Sequence, residues 1–145
     1  MIKTFRGLIG HDVEDTIRLS TNNGLTGYRI VKFQLMPKQP AVDNMAFVVK
    51  LYKRSQITAG IDGVVDFDDG GLLAAGYYEH EPSSYSDESV IISDREIFNQ
   101  DIYITCWEHH QPGDEYINFY IELEQVSLDL SEATVATLKD MRGSN

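Results

Sequence analysis

The chain has 145 residues, and its 12 basic and 23 acidic side chains give a formal charge of −11 at pH 7. A hydrophobic fraction of 42% excludes a disordered chain and predicts one compact domain over residues 1–145. The single cysteine excludes an internal disulfide, no apolar run approaches the roughly 20 residues of a membrane span, and we expect no signal peptide. We also expect no binding to nucleic acid or membranes, because so acidic a chain repels phosphates.

Segments in which apolar and polar residues alternate dominate the chain, and a period of two is typical of half-buried strands. In chain order, the predicted strands cover residues 2–9, 16–20, 31–35, 47–52, 63–67, 72–80, 89–93, 101–108 and 115–127. Turn-forming Asn, Asp, Gly and Pro residues lie between many of them. No repeat or linker interrupts this pattern, so no domain boundary is predicted.

The last two predicted strands, 101–108 and 115–127, are close enough in sequence to predict a hairpin with a loop of about six residues. In the second strand, Ile117, Phe119 and Ile121 alternate with polar and tyrosine residues. This alternation predicts one buried side and one exposed side.

One helix is predicted, at the C-terminus. Asp129 and Glu132 have the spacing of a capping box, in which each side chain accepts a hydrogen bond from the other residue's backbone amide. The residues expected to line one face of this helix are Leu130, Thr134, Leu138 and Met141. Many short strands followed by one helix predict an all-β protein, an antiparallel β-sandwich of jelly-roll type with one short C-terminal helix.

Charge is unevenly distributed along the chain. Residues 1–54 contain nine basic and four acidic side chains, whereas residues 55–138 contain one basic and eighteen acidic side chains. One interpretation is a molecule with a basic side and an acidic side, which would favour docking onto an oppositely charged neighbour or a second copy. The other is that the fold interleaves the segments and leaves no net polarity, and the sequence does not decide between them.

Two clusters of potential metal ligands are present, and neither fits a metal site well. The first comprises Asp62, Asp66, Asp68 and Asp69, whose spacing does not match a calcium loop, so a solvated turn is favoured and calcium binding is left open. The second comprises Cys106, Glu108, His109 and His110, with His80 further away. Adjacent strand residues point to opposite sides, so these side chains are not expected to share one zinc ion.

No catalytic motif is recognisable. The nucleophile elbow, the phosphate-binding glycine loops and a reactive cysteine context are all missing from the sequence. Paired acidic residues such as Glu122 and Glu124 keep a carboxylate hydrolase as a remote alternative. The sequence therefore predicts a non-enzymatic protein without catalytic, cofactor-binding or metal-binding residues.

An interaction surface is the more favoured functional feature. Tyr103, Trp107, Tyr116 and Tyr120 all fall on the polar side of the last two strands, and such aromatic residues are enriched at protein interfaces and sugar-binding sites. The basic N-terminal segment with Lys3 and Arg6 is either a strand of its own sheet or an arm that joins a neighbour's sheet edge. Ordinary packing within the fold is the alternative for the aromatic residues.

Four stretches of the chain have a recognisable sequence: TIRLSTNNGLTGYRIVKF at 16–33, FNQDIYIT at 98–105, NFYIELE at 118–124 and ATVATLK at 133–139. These stretches resemble a family of small virion structural proteins in tailed bacteriophages of marine bacteria. Residues 37–97 are outside the resemblance, and it implies no catalytic residue or cofactor.

The resemblance implies a capsid decoration or cement subunit that works through surface contacts. Its expected partners are a viral capsid protein and copies of itself, as a homo-oligomer on a virion assembled in the host cytoplasm. Two alternatives remain: a carbohydrate- or ligand-binding β-sandwich module, and a head–tail or tail-associated virion component.

Overall fold

The computed structural model describes residues 1–110 and 115–142 of the chain. Within these ranges the chain forms antiparallel strands followed by one helix. The strands are β1 (Ile2–Gly10), β2 (Val13–Ile17), β3 (Thr26–Pro37), β4 (Met45–Tyr52), β5 (Leu72–Glu81), β6 (Ser84–Ile91), β7 (Ile102–Glu108) and β8 (Tyr116–Ser127), and the helix is α1 (Leu130–Arg142). The prediction of a mostly antiparallel β-protein with a short C-terminal helix is confirmed.

The strands form two sheets. The three-stranded sheet has the order β1-β8-β3, and the five-stranded sheet has the order β2-β7-β4-β5-β6. The predicted hairpin of 101–108 with 115–127 is therefore wrong, because β7 and β8 belong to different sheets. Each of these strands instead lies between two partners that are distant in sequence, and the hydrogen bonds to those partners replace the local pairing.

Both sheets contribute alternate side chains to one hydrophobic core. From the five-stranded sheet, Phe47, Val49 and Leu51 are at most 1% exposed, as their alternation predicts. From the three-stranded sheet, Ile117 and Ile121 are fully buried in the same cluster. The side of each sheet that carries these residues is called the inner side below, and the opposite side is called the outer side.

A bulge in β3 keeps its apolar residues on the inner side. The pairing register with β8 shifts between Ile30 and Lys32, which leaves Val31 as the extra residue. Without this shift, strict alternation would place Ile30 and Lys32 on the same side. With it, Ile30 and Phe33 both enter the core, and Lys32 is exposed on the outer side.

Three of the weaker strand predictions differ from the structure. Residues 16–20 overlap β2 only at its end, and residues 89–93 overlap only the end of β6. Residues 63–67 form no strand at all and lie in the long connection between β4 and β5. The Asp66 side chain there accepts a hydrogen bond from the backbone amide of Asp68, a local bond that competes with strand pairing.

The helix begins as predicted, but the face that it buries differs. Asp129 Oδ1 accepts a bond of 2.8 Å from the Glu132 amide, and Glu132 Oε1 accepts one of 3.0 Å from the Asp129 amide, so the capping box is confirmed. The expected face is wrong: Leu130, Thr134, Leu138 and Met141 are all exposed. The helix instead packs through small and polar residues, of which Ala133, Ala136 and Asp140 are buried.

Polar contacts fix the helix to the segment before β7. Asn99 is fully buried, and its side-chain amide donates to the Gly24 carbonyl, the Ala133 carbonyl and Thr137 Oγ1. Its backbone amide donates to Asp140 Oδ2 at 2.8 Å. The described part of the chain contains no helix with the length and apolar character needed to cross a membrane.

Candidate functional site

One largely exposed surface is the outer side of the three-stranded sheet, called the open sheet face below. Its rows are set by the register of β1 and β3 against β8, in which Leu8 and Met36 flank Asn118, and Arg6 and Gln34 flank Tyr120. The complete set is Ile2, Thr4, Arg6 and Leu8 from β1, Arg29, Lys32, Gln34 and Met36 from β3, and Tyr116, Asn118, Tyr120, Glu122 and Glu124 from β8.

The open sheet face combines apolar groups with free positive charge. Met36 is 62% exposed and Leu8 is 41% exposed, and the two side chains lie in one row of the face, on either side of Asn118. Arg6 and Lys32 are exposed, and neither forms an ion pair with any residue in the described ranges. Lys38 follows β3 directly, and its ammonium lies 6.0 Å from the centre of the Tyr116 ring.

The acidic residues of the face are already engaged. The Arg29 guanidinium contacts Glu124 Oε1 at 2.8 Å, and this hydrogen bond and charge lower the pKa of Glu124. The Tyr120 hydroxyl donates to Glu122 Oε2 at 2.6 Å, and this bond is the main reason that the pKa of Tyr120 is raised. The bond from Tyr120 leaves the charge of Glu122 in place, so the face carries three cations, Arg6, Arg29 and Lys32, against two anions, Glu122 and Glu124.

A groove of about 940 Å³ opens beside this face, between the three-stranded sheet and β6. Leu35 and Phe119 contribute apolar lining, Asp87 and Glu88 line it from β6, and Arg6 lines it from β1. Both β3 and β6 have a strand neighbour on one side only, so each presents an edge near this groove.

The predicted aromatic surface is divided between the two sheets. Tyr116 and Tyr120 lie on the open sheet face, whereas Tyr103 and Trp107 lie on the outer side of β7 in the five-stranded sheet. Tyr116 is 44% exposed, and the other three are half-buried. Because the two outer sides face away from the shared core, the four rings do not form one surface, and the interpretation of a common aromatic platform is wrong.

Lys3 and Arg6 are both exposed on β1, but they do not lie on the same side of the strand. Arg6 pairs in register with Tyr120 on the outer side, whereas Lys3 pairs with Leu123, which points into the core. The N-terminal segment is thus a strand of its own sheet along its full length, which is the alternative that the sequence left open.

A loop covers the outer side of the five-stranded sheet. Residues 53–71, called the covering loop below, connect β4 to β5 and lie across β4 and β7. The ammonium of Lys50, only 3% exposed, binds Asp62 Oδ1 at 2.9 Å and the Val64 carbonyl. Burial acts to raise the pKa of Asp62, but the bonds from Lys50 and from the Val64 amide outweigh it and lower the pKa.

Close backbone contact fits this loop onto Trp107. A Cβ at Gly63 would lie 2.6 Å from His109 Nε2 and 2.9 Å from Trp107 Cδ1, so a larger residue would not fit without displacement. The His11 ring also packs edge-on against Trp107, at a centroid distance of 4.4 Å. The indole is therefore partly covered by the loop and by His11.

Among the described residues, neither cluster of potential metal ligands in the sequence comes together around one point. Asp62 accepts a hydrogen bond from the Lys50 ammonium, and Asp66 and Asp69 each accept one from a backbone amide two residues further along the chain. Over residues 1–110 and 115–142, no three His, Cys, Asp or Glu side chains are close enough to hold one metal ion.

The second cluster, around β7, is also divided, because its side chains contact different partners. Cys106 is fully buried, and burial followed by the charge of Glu108 raises the pKa of its thiol to about 12. Glu108 Oε2 accepts from the amides of Ala46 and His110. His80 contacts Asp43 at 2.9 Å, so it has no part in a site with Cys106.

The sequence indicated Arg6, Tyr116 and Tyr120 but missed Leu8, Met36 and Lys32 on the same face. Lys50 was missed as well, although a lysine at an outward position among the apolar residues of β4 was a signal of a buried partner.

Comparisons with protein-family models, curated proteins and solved structures give no match for this chain.

Proposed function

We propose that the chain is a non-enzymatic structural protein of a phage particle, most specifically a capsid decoration or cement subunit. Its partners on the virion would be a capsid protein and copies of itself. The observation that carries the proposal is the open sheet face, where exposed Leu8 and Met36 lie among the exposed cations Arg6 and Lys32. Such a surface suits adhesion, because apolar burial stabilises the contact and charge orients it.

The order of strand pairing supports a jelly-roll sandwich as the fold of this subunit. A jelly roll is a long antiparallel hairpin wound into two sheets, which pairs the first strand with the eighth, the second with the seventh and the fourth with the fifth. These three pairings are all present. A complete jelly roll would also pair β3 with β6. Here β6 pairs with β5 and not with β3, and the groove lies between β3 and β6.

Purified particles provide the first test of this function. Particles from cells that carry the gene with its genomic neighbours are separated on a density gradient and assayed by quantitative mass spectrometry. We expect the chain in a fixed ratio to the major capsid protein, and cryo-electron microscopy then distinguishes a capsid position from a head–tail or tail position. Absence of the chain from intact particles overturns the proposal.

Variants test the surface. Met36→Asp places a charge beside the exposed apolar groups of the open sheet face and should reduce retention on particles at least tenfold. Leu138→Asp is the matched control, because Leu138 is 50% exposed on α1 and lies off the face. Equal retention of both variants would show that the open sheet face is not the attachment surface.

A further inference from the structure

A second exposed surface, the acidic loop surface, lies on the covering loop. Val64, Val65 and Phe67 are 64%, 42% and 60% exposed, and Ile57 is 68% exposed. Exposed or half-exposed carboxylates follow in the same segment, at Asp66, Asp68 and Asp69.

The acidic loop surface and the open sheet face are complementary. One carries apolar groups among anions, and the other carries apolar groups among the exposed cations Arg6 and Lys32. They also lie on different sides of the molecule, since the covering loop is fixed to the outer side of the five-stranded sheet through Lys50. One copy therefore presents both halves of a contact in different directions.

We propose that the open sheet face of one copy binds the acidic loop surface of a second copy, head to tail. This inference rests on the proposed function and names the partner of its surface. Contacts between two open sheet faces would oppose two surfaces of net positive charge, and contacts between two acidic loop surfaces would oppose two surfaces of net negative charge, so charge favours the contact between unlike surfaces. A contact of this kind does not stop at a dimer but continues into a chain or ring of copies.

The size of the open sheet face determines the expected affinity of one contact between two copies. Three strands at about 4.8 Å spacing and about 30 Å length give roughly 400 Å² in projection. Each partner in a typical stable complex buries about 800 Å² of accessible surface, and side-chain relief raises the accessible area of this face above its projection only in part towards that value. Individual contacts are therefore weak in solution and accumulate on a particle, where many copies are held close together.

Sedimentation equilibrium of the purified chain tests the proposal. At 50 mM NaCl, the average mass of the wild type should rise continuously with concentration up to about 1 mM, and 500 mM NaCl should shift the association midpoint at least tenfold higher. A wild type that remains monomeric at 1 mM and 50 mM NaCl overturns the inference.

Two charge-reversal variants identify the surfaces. The sheet variant carries Arg6→Glu and Lys32→Glu, and the loop variant carries Asp66→Lys and Asp68→Lys. Each should be monomeric alone, while an equimolar mixture should associate again because an intact open sheet face then meets an intact acidic loop surface. A loop variant that still associates alone overturns the head-to-tail contact.

The control variant carries Arg95→Glu and Lys139→Glu, which make the same change in charge as the sheet variant at exposed positions off both surfaces. It should associate like the wild type, and circular dichroism confirms the fold of every variant. Particle retention is measured separately. A monomeric protein that is retained on particles overturns this inference alone, whereas association in solution without any retention overturns the proposed function alone.

Discussion

Replacing Lys50 with methionine tests whether one buried cation holds the covering loop in place. The ammonium binds Asp62 and the Val64 carbonyl, and it lies 5.5 Å from the centre of the Tyr52 ring. Methionine retains most of the volume of the lysine stem but removes both bonds. The loop then keeps its chain connections but loses the contact that fixes its middle to the sheet.

Opposing contributions determine the expected change in stability. Burying an ammonium costs several kcal/mol, and hydrogen bonds to charged groups return about 1.5–3 kcal/mol each. The side chain of Asp62 is 59% exposed, so water replaces its lost partner readily. We therefore expect Lys50→Met to change the global free energy of unfolding by less than about 1 kcal/mol, or less than about 4 °C in Tm.

Trp107 reports the position of the loop directly, because it is the one tryptophan of the chain and packs against Gly63. In Lys50→Met its emission should shift to longer wavelength and its quenching by acrylamide should increase. Hydrogen exchange of residues 55–69 should accelerate at the same time. Lys32→Met is the matched control, since Lys32 lies on the open sheet face, and it should alter neither signal.

Two results would refute this reasoning. Unchanged Trp107 quenching and unchanged hydrogen exchange in Lys50→Met would show that the lysine does not hold the loop. A global loss of several kcal/mol would show that the pair contributes to the whole fold and that its desolvation cost was overestimated.

Four other contacts give predictions of known direction. The Cys106 thiol, with a pKa raised to about 12 chiefly by burial, should react with a thiol dye only after unfolding, and labelling of the native protein would contradict its burial. Gly7→Ala should lower stability in urea by about 1–3 kcal/mol, because the new methyl would lie 2.7 Å from Phe119 Cζ. Asp129→Ala should cost about 0.5–2 kcal/mol in the same assay through loss of the capping box. Burial raises the pKa of Asp140 above its ordinary value of 3.8. Its contribution to stability is therefore greatest below pH 3.8 and falls as the pH rises through the pKa of the folded state. Asp140→Asn should flatten this dependence of Tm on pH.

Local patterns predicted the strands well where one side of a strand is buried. The alternation of apolar and polar residues in β4 and β8 was sufficient to predict both strands, because the inner residues of each strand enter one common core. The capping box was also predictable, since Asp129 and Glu132 interact only with each other's backbone. These features depend on residues that are close in sequence.

Features that depend on distant partners were not predictable. Proximity in sequence suggested that β7 and β8 pair, but β8 lies between β1 and β3 instead. The apolar residues Val64 and Phe67 suggested a strand, yet Lys50 draws this segment into a loop over the sheet. The exposed face of α1 was predicted as its packing face, because the buried Asn99 and its contacts with the helix are a tertiary feature.

The same distinction applies to the candidate site. Alternation correctly assigned Tyr116, Tyr120, Tyr103 and Trp107 to the polar sides of their strands. It did not reveal that those sides belong to two different surfaces, one of them covered by a loop. The uneven charge of the sequence is retained in part, since the open sheet face carries exposed cations and the covering loop carries exposed carboxylates.

Site-specific photo-cross-linking in assembled particles tests the central claim most directly. A benzophenone amino acid is placed at Met36, in the open sheet face, or at Leu138, on the exposed side of α1. Adhesion through the open sheet face predicts that position 36 cross-links in high yield to the capsid protein or to the covering loop of a second copy, and that position 138 does not. Efficient cross-linking from position 138 with none from position 36 would contradict it.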